Sequence, residues 1–238
     1  MSSVQVANHP VIVGIGGLTS NVGKTTLMCE LLRAFPGWEA IKTTRGHYRS
    51  CGKDPAACCV SDLLRDEPVI RSGRELTYVP GKDTGRYWEA GAANVHWLIA
   101  TDSQVSEGID SALQLVRSPG VFIEGNSFTE YLQPDFFIMV ARPDIHKIKT
   151  TAKRVMPRVS AVYFSDETAD VNSASYGIFG QYFTGREVPV FSPAKLPELV
   201  KKLLSLSVVA SLKSTTRLTV SASETSPRSA GLTQAKSN

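Results

Sequence analysis

The chain has 238 residues, 42% of them hydrophobic and 20% charged, an ordinary globular composition long enough to bury a full core as one domain. No apolar run approaches the roughly 20 residues of a membrane span, and residues 1–10 show neither region of a signal peptide, so a cytoplasmic protein without a membrane partner is expected. The formal charge of +4 does not argue for nucleic acid: Lys213, Arg217, Arg228 and Lys236 against Glu224 place three of those charges in residues 211–238, leaving no concentrated basic face.

The first element sets the frame. Val11 to Ile15 is apolar and β-branched, breaks into Gly16-Gly17, and is followed by Gly23-Lys24-Thr25-Thr26 and an amphipathic stretch. That is the strand, glycine loop and helix order of a phosphate-binding loop. Glycines let main chain approach an anion, and free N–H groups at the helix start point at its oxygens. Gly17, Thr19, Ser20, Asn21, Val22, Gly23, Lys24, Thr25 and Thr26 are therefore the candidate nucleotide contacts. Lys24 would face the β and γ phosphates, and the Thr25 hydroxyl suits Mg²⁺. Five residues, Leu18 to Val22, separate Gly17 from Gly23, one more than the usual spacing. In this the loop resembles those of dethiobiotin synthetases and cobyrinic acid amide synthases. Thr19 stands where the partitioning ATPases carry a signature lysine, which disfavours that subgroup.

Leu27, Leu31 and Leu32 give the buried stripe of the first helix, which should stop near Pro36-Gly37. Trp38 to Thr43 reads as a strand that brings Lys42 to its carboxyl end, as a phosphate or substrate contact or as a solvated lysine. Residues 45–80 read as an irregular insertion containing His47, Cys51, Cys58 and Cys59. These four could bind a soft metal, provide a reactive thiol, or serve structure alone; paired C-x2-C knuckles are absent. Four cysteines in the chain, three of them between 51 and 59, fit a reducing compartment better than a disulfide framework. Within the insertion, Glu67 to Val79 with Ser72-Gly73 at its middle predicts a β-hairpin.

Next, Pro80-Gly81-Lys82-Asp83 predicts a turn and a helix with Asp83 as its N-cap. Asn94 to Asp102 reads as a strand and Val105 to Arg117 as an amphipathic helix. Val121-Phe-Ile-Glu124-Gly125 is a buried strand ending in a carboxylate. Such a carboxylate holds Mg²⁺ in phosphate-loop enzymes, directly or through water, and otherwise is simply an exposed strand end. Asp135 to Arg142, Val159 to Phe164 and Val188 to Phe191 read as strands; helices are expected around 145–155 and over Leu196 to Leu206. Residues 207–238, rich in Ser, Thr, Ala and Lys, read as a disordered tail on a domain spanning 1–206. Strands alternating with helices predict an α/β phosphate-loop NTPase fold, a mostly parallel sheet flanked by helices.

Four stretches together resemble the molybdopterin-guanine dinucleotide biosynthesis protein B family: Gly14 to Leu27, Ile41-Lys42-Thr43, Gly81-Lys82-Asp83-Thr84-x-Arg86 through Ala90-Gly91-Ala92, and Ile123-Glu124-Gly125. The resemblance covers roughly residues 10–206. It implies an accessory NTPase of molybdenum-cofactor maturation, binding GTP or ATP with Mg²⁺ and working with molybdopterin and a nucleotidyltransferase partner. It also implies that Lys24 and Thr25 bind phosphates and metal, that Asp83 and Glu124 complete the Mg²⁺ site, and that Arg86 contacts a phosphate. Relatives of this class are often homodimers. Gly-Lys-Asp also occurs at 52–54, so Asp54 is the alternative to Asp83. The longer loop and Thr43, where that family has His, leave open an ATP-dependent small-molecule ligase. The cysteine loop leaves open a nucleotide-gated metal-delivery protein.

Overall fold

The computed structural model describes residues 9–46, 63–142, 145, 147–166, 182–183 and 186–208. The loop holding His47, Cys51, Cys58 and Cys59, the first Gly-Lys-Asp copy with Asp54, and residues from 209 onward lie outside them. The elements in chain order are β1 (Val11–Gly17), α1 (Lys24–Ala34), β2 (Glu39–Arg45), β3 (Val69–Ser72), α2 (Arg74–Thr77), α3 (Asp83–Glu89), β4 (Val95–Ala100), α4 (Val105–Leu115), β5 (Gly120–Glu124), β6 (Phe136–Ala141), α5 (Thr150–Val155), β7 (Ala161–Phe164) and β8 (Val190–Phe191). A closing helix, α6, runs over 196–208.

The eight strands form one sheet in the order β3-β4-β2-β5-β1-β6-β7-β8. Every neighbouring pair is parallel except β3 with β4. The expected α/β architecture with a mostly parallel sheet is therefore present. Chain order reverses direction around β1, which pairs β5 on one side and β6 on the other. The carboxyl ends of strands flanking such a reversal leave a crevice where ligands bind in open α/β sheets.

Two-residue periodicity assigns side chains to the two faces of this sheet. Val121 and Ile123 join Ile41 in a core cluster with Val105, Ile109 and Ala112 of α4. Phe122 and Ala40 face the other way, into the cluster that holds Leu27, Leu31 and Leu32 of α1. One further step along each strand puts Lys42 and Glu124 on the α1 face, and the register places these two residues opposite each other. The α1 stripe thus forms as its apolar spacing predicts, and the helix ends before Pro36-Gly37.

Several elements differ from expectation. The predicted hairpin over 67–79 does not form: β3 pairs antiparallel with the distant β4, and Gly73, with φ 87°, turns the chain into α2. Side chains rarely adopt that φ, so the turn falls at glycine. Strand β2 runs on to Arg45, and Gly46 N–H donates to Ala100 O, so these residues belong to the sheet and not to an insertion. The helix expected over 145–155 begins only at Thr150, because Lys149 is extended and its N–H donates to Leu18 O. Helix α6 continues past Leu206, its expected end, to residue 208, two residues into the expected tail. No described helix is long and apolar enough to cross a membrane.

Candidate functional site

The loop between β1 and α1 is held by its apolar members. Leu18 and Val22 are buried, while Ser20 and Asn21 are exposed. Leu18 N–H donates to Val140 O, and Asn21 and Gly23 take left-handed φ values of 58° and 92°. Asn126 clamps the base of the loop: its Oδ1 accepts from Gly17 N–H at 2.8 Å, and its Nδ2 donates to Gly17 O at 3.0 Å. No side chain caps the start of α1, and its first turn holds no acidic residue. The helix therefore opens with Lys24 and Thr25 and with main-chain donors unanswered by a cap.

Asp83 enters from α3. It was expected as an N-cap, but Lys82 takes the cap position and Asp83 is the first helical residue, without a capping bond. Its carboxylate points to the site instead. Oδ1 accepts from Thr25 Oγ1 at 2.9 Å, and Oδ2 accepts from Lys42 Nζ at 2.6 Å. Glu124 is buried and answers from β5: its Oε1 accepts from Lys42 Nζ at 2.7 Å and lies 3.8 Å from Lys24 Nζ. The Tyr87 hydroxyl, also buried, donates to Glu124 Oε2. Thr43 Oγ1 donates to the Glu124 carbonyl at 2.7 Å. At Gly125, φ is 149° and a Cβ would lie 1.9 Å from Thr43 Oγ1, so only glycine permits the close turn after this carboxylate.

The charges are mutually stabilised. Burial disfavours the Lys42 ammonium, but the carboxylates of Glu124 and Asp83, through charge and hydrogen bonds, hold it above the ordinary lysine range. Burial likewise disfavours the Asp83 carboxylate, yet Lys42, the Thr25 hydroxyl and Lys24 keep it below the ordinary aspartate value. Both groups are therefore ionised at neutral pH.

Two adjoining cavities meet here. One, of about 430 Å³, is lined by Ser20 through Thr26, Lys42, Asp83, Arg86 and Glu124. The other, of about 650 Å³, is lined by Gly17, Thr19, Lys24, Lys42, Glu124, Asn126 and residues at the ends of β2 and α5. All the candidate residues in the described part of the chain thus converge on one crevice. Among the described residues there is no group of three or more His, Cys, Asp and Glu that could cage a metal. The donor set is instead one hydroxyl and two carboxylates, all hard oxygens. That chemistry fits Mg²⁺, which uses one or two carboxylates and completes its shell with phosphates and water.

Three contributors were not singled out from sequence. Tyr87 lies four residues after Asp83, on the same face of α3, and that helical spacing is a readable signal. Asn126 and Thr43 act through their positions beside Gly17 and Gly125, which only the strand register reveals. Neither a protein-family model nor a curated protein matches this chain.

Proposed function

We propose that the chain is a Mg²⁺-dependent nucleoside triphosphate-binding protein whose β1–α1 loop is a phosphate-binding loop. The observation that carries this reading is the convergence of Thr25 Oγ1 and the carboxylates of Asp83 and Glu124 beside Lys24 at the start of α1. In this reading the main-chain N–H groups of the loop and the Lys24 ammonium hold the phosphates, and Arg86 at the cavity wall adds a cation toward them. Thr25, Asp83 and Glu124 hold the metal, which when bound neutralises charge on the phosphate oxygens. Tyr87 and Thr43 orient Glu124 from behind.

For the biological role, the motifs around Asp83 and Glu124 support a nucleotide-binding accessory protein of molybdenum-cofactor biosynthesis. A second reading, an ATP-dependent small-molecule ligase, is favoured by the adjoining cationic cavity, which offers room for a substrate next to the terminal phosphate. Calorimetric titration of ATP and of GTP, each with Mg²⁺, into wild type and Lys24→Ala tests the shared proposal. Wild type should bind one of them saturably, and Lys24→Ala should bind it about a hundredfold more weakly, the loss expected for a phosphate-facing charge. Equal affinity in the two proteins would refute the phosphate-loop assignment. GTP preference supports the molybdenum-cofactor role, and ATP preference the ligase.

A further inference from the structure

Lys42 lies in both cavities. Its two bonds engage the one oxygen on each carboxylate that accepts no other hydrogen bond, Glu124 Oε1 having Lys24 Nζ only at ion-pair distance, 3.8 Å. Glu124 Oε2 accepts from Tyr87, leaving Oε1 to Lys42, and Asp83 Oδ1 accepts from Thr25, leaving Oδ2 to Lys42. A divalent ion drawing on both carboxylates needs those same oxygens at about 2.0–2.1 Å. An ammonium and a dication cannot share them, and the monovalent ammonium is the weaker competitor.

If Lys42 gives way, its main chain stays in place. β2 is hydrogen-bonded along both edges, to β4 and to β5, so only the flexible side chain can turn. The space open to it is the larger cavity. Among its described lining residues, the cationic side chains of Lys24, Lys42, Arg45 and Lys147 stand against one carboxylate, that of Glu124. Arg45 pairs with Asp102 at 3.0 Å, but the Asp102 side chain is 62% exposed, and a pair so open to water retains little of the guanidinium's field for itself. Engaging Glu124 with a metal removes that negative wall charge and adds Lys42 to the positive side.

We propose that the larger cavity receives a small anionic ligand, a phosphate or a carboxylate, and that Lys42 couples its binding to that of Mg²⁺ and nucleotide by exchanging Asp83 and Glu124 for the incoming anion. The proposal rests on the nucleotide reading above. Thermodynamic reciprocity then requires that the anion also tighten Mg²⁺-nucleotide binding.

The test saturates the protein with the non-hydrolysable imido analogue of the nucleotide that binds, so that the phosphate loop is filled. Sodium phosphate is then titrated in calorimetrically, with Mg²⁺ or with chelator, and sodium succinate is titrated in parallel to separate a carboxylate ligand from a phosphate one. In wild type, one of the two anions should bind about tenfold more tightly with Mg²⁺ present, a typical coupling between linked sites. Lys42→Met should bind the Mg²⁺-analogue complex more tightly than wild type, because the competing ammonium is gone, and should lose the anion step. Wild type indifferent to Mg²⁺ for both anions, or Lys42→Met with the coupling intact, would overturn this proposal and leave the nucleotide reading standing. Wild type that binds no nucleotide would remove both.

Discussion

Strand β2 carries two charged side chains three residues apart, the buried Glu39 and the half-buried Lys42, and their surroundings are opposite in kind. Glu39 is closed in. Its Oε2 meets His96 Nε2 at 2.7 Å, its Oε1 accepts from the N–H groups of Arg117 and Ser118 at 2.8 Å each, and it borders neither cavity of the site. Lys42 makes two bonds, to Asp83 and Glu124, and faces open space on two sides. The first arrangement ties the chain between α4 and β5 to the amino end of the sheet. The second stores charge at the carboxyl end, where a ligand can replace its partners. Buried charge alone does not point to a functional site; charge with exchangeable partners beside a cavity does.

Glu39→Ala breaks the closed arrangement and should have the largest effect on stability. It leaves the buried His96 ring and two main-chain N–H groups without their acceptor, a loss of about 3–5 kcal/mol for a broken buried pair. Urea denaturation measures it, and a loss below about 1 kcal/mol would mean that the carboxylate is not a structural tie. The protein that remains folded should still bind nucleotide, because Glu39 lies at the far end of β2 from the candidate site.

Acid should distinguish the two ends next. For Glu39, burial opposes charge, but the His96 hydrogen bond, the Arg117 and Ser118 N–H groups and the His96 charge hold its pKa below the ordinary glutamate value. Asp83 is also depressed. A carboxylate with a lowered folded-state pKa contributes stability that is present above its unfolded value and lost as pH falls through the folded one. Lys42 has the opposite sign: its raised pKa contributes stability below the unfolded lysine value, lost as pH rises through the folded one. Stability should therefore be level around neutrality, falling at the acid end below the ordinary carboxylate range and at the alkaline end above the ordinary lysine range. Glu39→Gln should flatten the acid limb more than Asp83→Asn does, since the Asp83 side chain is 41% exposed and screened by water. Denaturant midpoints measured across pH check this, and the reverse ranking would place the tighter electrostatic tie at the site end.

Much of this was legible from the chain itself. The periodicity of Val11 to Ile15, Leu27 to Leu32 and Val121 to Ile123 reflects local rules of burial, and the corresponding elements form as expected. Lys24, Thr25, Asp83 and Glu124 could be named because short motifs carry them, and they do come together. What sequence did not reveal depends on register. Lys42 lies opposite Glu124 across β2 and β5, and the Glu39–His96 tie requires β4 to pair β2, with Ile41 opposite His96. The failed hairpin has the same cause: β3 finds its partner more than twenty residues away in β4, with Val69 opposite Ile99, and no local pattern announces it. A turn-containing run of alternating residues specifies that a strand forms more readily than it specifies which strand it joins.

The smallest predicted effect sits on the line between the two kinds of charge. Glu124 is buried like Glu39, but only one of its oxygens is closed off, by the Tyr87 hydroxyl. Tyr87→Phe removes that donor while preserving the ring, itself fully buried against the α1 core. A buried carboxylate oxygen losing one neutral donor costs about 1 kcal/mol of stability. In the proposed nucleotide complex the same change should leave Glu124 freer to rotate and raise the Mg²⁺ concentration needed for half-maximal nucleotide binding by about two- to fivefold, the consequence of loosening a supporting hydrogen bond. Denaturation and a Mg²⁺ titration at fixed nucleotide separate the two roles. A stability loss with unchanged Mg²⁺ dependence would make Tyr87 a structural partner of the Glu39 type. A shift in both makes it part of the metal support, and so places the boundary between the closed and open ends of the sheet at the two oxygens of a single carboxylate.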